Sequence, residues 1–182
     1  MPTYVALLRG INVGKAKRVA MADLRAAIES LGYGDVRTLL NSGNAVFTSK
    51  RPLKKTAAEE LRAALVKKTG VSSRFTLRSA EELQATVDAN PLLKVATDHT
   101  RLFAAFVTEP DGMALVKPVA AQSWSPEAVA LGPSVVYVWC PCGLLESKAS
   151  VAVGKALGDG VTVRNWATVA KLMSLISAPR DG

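Results

Sequence analysis

Asp35-Val36-Arg37-Thr38-Leu39-Leu40-Asn41-Ser42-Gly43-Asn44-Ala45-Val46-Phe47-Thr48 is the stretch on which the fold turns. Two β-prone runs, Asp35 to Leu40 and Ala45 to Thr48, flank four residues that accept positive φ or bond their own backbone. That pattern predicts a hairpin. On its N-terminal side, Met21, Leu24, Ala27, Ile28 and Leu31 recur at helical spacing and Gly32 follows as a stop, so a helix is expected over 21–31. On its C-terminal side, Thr56 to Thr69 repeats the pattern with Ala57, Leu61, Ala64, Leu65 and Lys68, ending at Gly70. Outside both helices lie short apolar runs at Thr3 to Arg9 and Ser73 to Arg78, which read as strands. Ser79 and Glu82 have capping-box spacing and open a third helix that Asn90-Pro91 closes.

The order is therefore β-α-β-β-α-β with one helix appended, the ferredoxin-like split βαβ pattern. The same order returns later. A strand is expected over Arg101 to Glu109, a helix over Gly112 to Gln122, and a hairpin from Glu127–Leu131 to Val135–Cys140 across Gly132-Pro133. A helix over Ser147 to Leu157, a strand over Val161 to Arg164 and a closing helix over Asn165 to Ser177 complete it. Thr76-Leu77-Arg78-Ser79 and Thr162-Val163-Arg164-Asn165 stand at matching places, each ending a strand and capping a helix. The fold class expected is thus α+β, two consecutive ferredoxin-like βαββαβ(α) subdomains with antiparallel or mixed sheets. Their expected spans are 1–93, basic, and 101–178, with 94–100 as the linker. In the first strand Tyr4, Ala6 and Leu8 face one way and Val5 and Leu7 the other, so both sheet faces are apolar and each needs a cover. The other half of the chain is the nearest candidate.

The chain has 182 residues, half of them apolar and a fifth charged, the usage of an ordinary globular protein. The Met1-Pro2-Thr3-Tyr4-Val5 start carries no secretory signal, and no apolar run approaches the roughly 20 residues that span a bilayer. No membrane association and a cytoplasmic location are therefore expected. Cys140-Pro141-Cys142 supplies two of the four ligands of a structural zinc and is read as a pair of reduced thiols. No metal or cofactor is expected. The net charge of +8 is one-sided: residues 1–78 hold 15 Lys/Arg against 5 Asp/Glu (+10), residues 79–182 hold 8 against 10 (−2). Such a field concentrates anions, although the same lysines also serve to solvate a helix.

Gly10-Ile11-Asn12-Val13-Gly14-Lys15, after a strand and before a helix, invites comparison with a phosphate-binding loop. It has three residues between its glycines where a Walker loop needs four, and Ala16 where that loop has Ser or Thr. Nucleotide hydrolysis with magnesium does not fit; anion binding by Arg9, Asn12, Lys15 and the loop amides does. In a split βαβ the first two strands run the same way, so the loop after the first and the hairpin after the second share one rim. The ligand-binding candidates are accordingly Arg9, Gly10, Asn12, Gly14, Lys15, Asn41, Ser42 and Asn44, to which Arg164 is added as a charge that core packing would not ask for. The turn residues also read as turn formers and nothing more. The one histidine, His99, falls in the linker, and no carboxylate pair stands at a strand end, which leaves no proton-transfer constellation. The RNA-recognition version of this fold needs aromatics at set places on its two central strands; Tyr4 and Phe47 are the only candidates, and the Arg/Lys-Gly-aromatic signature is missing.

Leu7 to Gly14, Asn41 to Asn44 and Thr162 to Leu172 together resemble the bacterial family catalogued as domain of unknown function 1697, over essentially the whole chain. The resemblance implies a two-subdomain α+β architecture with ferredoxin-like character and brings no catalytic residue or cofactor. The family pattern has a second glycine after Gly14, where this chain has Lys15. The expected partner is a phosphorylated small molecule or the backbone of a nucleic acid. An enzyme that uses Arg9, Lys15 or Arg164 to stabilise anionic charge, and an interaction module, are the alternatives; the oligomeric state is left open.

Overall fold

A computed structural model describes residues 1–179. The elements follow the expected order. In the first half they are β1 (Thr3–Leu8), α1 (Met21–Glu29), β2 (Gly34–Leu39), β3 (Asn44–Thr48), α2 (Ala57–Thr69), β4 (Phe75–Ser79) and α3 (Ala80–Asp88). A 3-10 turn, Pro91–Lys94, leads to β5 (Leu102–Val107), α4 (Gly112–Ala120), β6 (Ala128–Gly132), β7 (Val135–Trp139), α5 (Lys148–Leu157), β8 (Val161–Asn165) and α6 (Trp166–Ser177). Helix α1 stops two residues short of the expected Leu31: Ser30 Oγ donates to Ala27 O and Leu31 N donates to Ile28 O, which tightens the last turn ahead of Gly32 at φ +83°. Helix α2 ends as expected, on Gly70 in the left-handed region with its N–H bonded to Val66 O.

Two four-stranded sheets result, ordered β2-β3-β1-β4 and β6-β7-β5-β8, antiparallel throughout. Their registers superimpose the two halves. Tyr4 pairs with Phe47 and Ser79 as Phe103 pairs with Val138 and Asn165, so Arg78 opposite Val5 and Arg164 opposite Ala104 are equivalent positions. The shared phrase is thus the strand end of a repeated unit.

Packing divides the chain inside α3 and again inside α6. Met1–Leu83 with residues 172–179 forms one unit, and Gln84–Lys171 the other. This differs from a boundary at residue 93, and a buried hydroxyl helps explain why. Tyr137 Oη on β7 has no exposure and donates to Thr86 O, 2.7 Å away on α3, so that end of the helix belongs with the second sheet. Residues 94–100 are not a loose tether: Asp98 accepts from Thr100 N and Oγ1, and His99 O accepts from Ala167 N.

In the first unit Ala6, Leu8 and Phe47 of the sheet pack with Leu24 and Ile28 of α1 and Leu61 and Leu65 of α2. Each fully buried Leu, Ile or Phe contributes about 2 kcal/mol. The opposite face is equally dry, since Val5, Leu7 and Val46 are also buried. In the second unit Ala105, Val107, Val136 and Val138 meet Val116 of α4 and Val153 of α5. Leu102, Phe106 and Tyr137 on the other face are buried too. Strands with both faces buried read as near-continuous apolar runs, which is why β1 and β5 show no alternation.

Candidate functional site

Strands β1 and β2 are both antiparallel to β3 and therefore parallel to each other. Their C-terminal ends bring two connections to one rim: the loop Arg9–Ala20 and the turn Leu40–Gly43. The two are bonded. Leu8 N donates to Gly43 O at 2.8 Å, and Asn12 Nδ2 donates to Asn41 O at 2.7 Å. Gly43 is required where it stands, at φ +85°: a Cβ there would lie 2.7 Å from Ile11 Cδ1 and 2.8 Å from Leu8 Cβ.

Asn12 is the clasp of the loop. Its Nδ2 also donates to Val19 O (2.8 Å), its Oδ1 accepts from Val19 N (2.9 Å), and its own N–H donates to Lys17 O. Both amide hydrogens and the carbonyl are thereby engaged, closing residues 12–19 into a ring tied to the hairpin. Asn tolerates the φ of +54° that this requires. Ile11 and Val19 anchor the ring to the core, while Val13, Gly14, Lys15, Ala16, Lys17 and Arg18 stand exposed.

The other predicted residues divide. Asn44 is fully buried, and its Nδ2 donates to Leu39 O (2.8 Å) and Ser42 Oγ (2.9 Å), so it locks the turn from within. Asn41 and Ser42 lie exposed on the rim. Gly10 and Gly14, at φ +65° and +62°, shape the loop in open space. Arg9 is half-buried at its base: its N–H donates to Arg74 O, and its carbonyl accepts from Ser73 Oγ. Arg164 belongs to the second unit, on β8, where its Nη1 donates to Val163 O and burial pushes its pKa down to about 10. Arg78 repeats this arrangement, with Nη1 on Leu77 O and its pKa lowered by burial. The guanidinium thus stands at the same register position in both sheets. Lys17 and Arg18 extend the cationic rim past the glycine motif, and the Lys15-Ala16-Lys17-Arg18 run is their signal in the sequence.

The repeat supplies an internal comparison. The connection from first strand to first helix takes twelve residues in the first unit, Arg9–Ala20, and four in the second, Thr108–Asp111. The hairpin turn takes four residues, Leu40–Gly43, against two, Pro133 and Ser134. The second unit closes with the shorter versions; the longer loop of the first adds Ile11 and Val19 to its core and sets residues 13–18 exposed at the rim.

Away from the rim, an open groove of about 660 Å³ between α1 and α2 is lined by Ala26, Leu31, Ala63 and Ala64 with Lys67 and Lys68. In the second unit a cleft of about 400 Å³ lies among Trp124, Pro126, Pro141 and Cys142. Cys140 and Cys142 are free thiols, one buried and one exposed, and burial raises the Cys140 pKa. Among the described residues no three His, Cys, Asp or Glu side chains come together as a metal site.

Residues 1–137, which include the rim and end within β7, match the model of a family described as "Protein of unknown function (DUF1697)". The chain belongs to the DUF1697 family. The Leu7–Gly14 and Asn41–Asn44 motifs fall inside the matched DUF1697 residues, and Thr162–Leu172 lies beyond them. Among solved structures, this DUF1697 chain is similar to the conserved bacterial protein SP0830 from Streptococcus pneumoniae. The two are 26% identical with a TM-score of 0.73, over 96% of this chain and 98% of that one. No curated protein matches the sequence.

Proposed function

We propose that the protein binds a phosphorylated anion, a small molecule or the backbone of a nucleic acid, at the rim formed by Arg9–Ala20 and Asn41–Asn44. The observation that carries this reading is the clasped twelve-residue loop. Held closed by Asn12, it presents Lys15, Lys17 and Arg18 to solvent where the second unit makes the same connection in four residues. A loop ordered in advance loses little entropy on binding, and its cations need no desolvation of a competing carboxylate. The +10 balance of residues 1–78 adds a long-range attraction for the same class of ligand. The setting proposed is cytoplasmic, where phosphorylated ligands abound. Two free thiols and the absence, among the described residues, of a helix long and apolar enough to cross a membrane support it.

The test is thermal shift against nucleotides, sugar phosphates and short oligonucleotides at low salt, followed by titration of any hit. A stabilising ligand is expected whose effect disappears in the K15Q/K17Q/R18Q variant, with the melting point of the unliganded protein unchanged. If nothing in the panel stabilises the protein, or the triple variant binds as well as the parent, the rim is not the site.

A further inference from the structure

Each sheet leaves two strands at its edges, and three of these four carry a charged residue. Strand β2 has Asp35 and Arg37 and a register break between Gly34 and Arg37; β4 has Arg78 and β8 has Arg164. Charges and bulges of this kind keep an edge from pairing with another chain. Strand β6, Ala128-Val129-Ala130-Leu131-Gly132, has neither: it is uncharged, contains no proline and pairs with β7 in unbroken register. Every residue of β7 is buried, whereas every residue of β6 is only half-buried.

Backbone geometry specifies what that edge offers. The two-residue turn makes Gly132 and Val135 a hydrogen-bonded pair, and alternation makes Ala130–Tyr137 and Ala128–Trp139 the next ones. The N–H and C=O groups of Val129 and Leu131 are then directed away from β7, and none of them has a hydrogen-bond partner among the described residues. Their side chains lie on the α4/α5 face, at the border of the second core cluster. The 3-10 turn Pro91–Lys94 touches both β6 and β7 and so covers a face of the sheet, not its edge. Helix α4 packs against β6 and bears Leu115, 58% exposed.

We propose that β6 is a self-association edge, at which a second copy of this chain pairs antiparallel about a twofold axis through Ala130. The strand is self-complementary under that operation. Val129 of each copy faces Leu131 of the other, and the two pairs exchange four main-chain hydrogen bonds. No charge within Ala128–Gly132 opposes its like, and the apolar border of each core is extended across the axis. The four-stranded sheets merge into one of eight strands, and the two α4 helices flank the axis with their exposed Leu115 side chains. This goes beyond the rim, which belongs to the first unit, whereas β6 belongs to the second.

The experiment is analytical ultracentrifugation of the full chain from low micromolar to near-millimolar protein, with hydrogen exchange at both ends of that range. The mass is expected to rise from 19.2 kDa toward twice that value. The amides of Val129 and Leu131 should exchange roughly tenfold or more slowly in the concentrated sample. Val129→Pro removes an outward N–H that the β7 ladder does not use and should hold the chain at 19.2 kDa with an unchanged circular dichroism spectrum. Leu115→Glu, which leaves the strand untouched, should weaken the dimer at least severalfold. Leu145→Glu, at a site 95% exposed elsewhere in the unit, should leave the mass unchanged. A chain that stays monomeric throughout overturns the proposal, as does a dimer that survives both Val129→Pro and Leu115→Glu. Protection of Val129 and Leu131 only when an unrelated extended peptide is added would replace the second copy with a peptide ligand and overturns it equally.

Discussion

Removing the Asn12 side chain should unlatch the rim, and the size of the effect can be worked from its bonds. Asn12→Gly deletes three hydrogen bonds, from Nδ2 to Val19 O and Asn41 O and to Oδ1 from Val19 N, while keeping the freedom to hold φ +54°. At about 1 kcal/mol each, reduced because water reaches one of them, the loss is about 2 kcal/mol of unfolding free energy. Asn12→Ala loses the same bonds and adds the left-handed strain of an L residue, for a total of about 3–4 kcal/mol. Asn12→Asp retains the acceptor for Val19 N but turns a carboxylate oxygen toward two carbonyls, so it should be no better than Gly. Urea unfolding of the variants gives the free energies. Hydrogen exchange of the Val19 amide, which has Asn12 Oδ1 as its acceptor, reports the clasp directly and should accelerate in all of them. An Asn12→Gly protein within about 0.5 kcal/mol of the parent, with the Val19 amide still protected, would refute the clasp.

Gly43→Ala should destabilise by about 2–4 kcal/mol in urea unfolding, combining strain at φ +85° with crowding against Leu8 and Ile11. Burial raises the Tyr137 pKa to about 12 from an ordinary value of 10.0, so the unfolded chain ionises first. Its contribution to stability is complete below pH 10 and declines as pH rises from there toward 12; ultraviolet titration at the phenolate band should show this tyrosine ionising last or together with unfolding. Glu127 accepts from Ser147 Oγ, Lys148 N and Ala149 N at the start of α5, so Glu127→Ala should cost about 1–2 kcal/mol in thermal unfolding and fray that helix. If nucleic acid is the ligand, K15Q/K17Q/R18Q should also flatten the dependence of log affinity on log salt by up to about three units of slope; an unchanged slope would mean that these cations touch no phosphate.

The secondary elements were legible because their signals are local. Helical spacing in Met21–Ile28 and Leu61–Leu65, the glycine stop at Gly70 and the Asn41–Gly43 turn each act within a few residues of chain. The meeting of the two rim connections was legible as well, since strand order and direction follow from the split βαβ connectivity. The individual roles were not. Asn12, Asn41 and Asn44 look alike as letters, yet Asn12 clasps a loop, Asn44 is buried beneath the turn and Asn41 lends its carbonyl. Which of these an asparagine does depends on groups up to 29 residues away. Arg164 is, in the sequence, a charge without a packing purpose, and only the register places it where Arg78 stands in the first sheet.

From its letters alone the chain determined its fold class, its twofold repetition and the rim on which its basic loop emerges. Hydrophobic period, turn chemistry and connectivity are all carried by neighbours in sequence. Tertiary structure alone decided where one unit ends and the next begins, which asparagine closes the loop, and that β6 is the sheet edge without a guarding charge. Those outcomes depend on which buried polar groups and which backbone donors find partners, and such partners are supplied by chain that is remote in sequence and near only once the protein has folded.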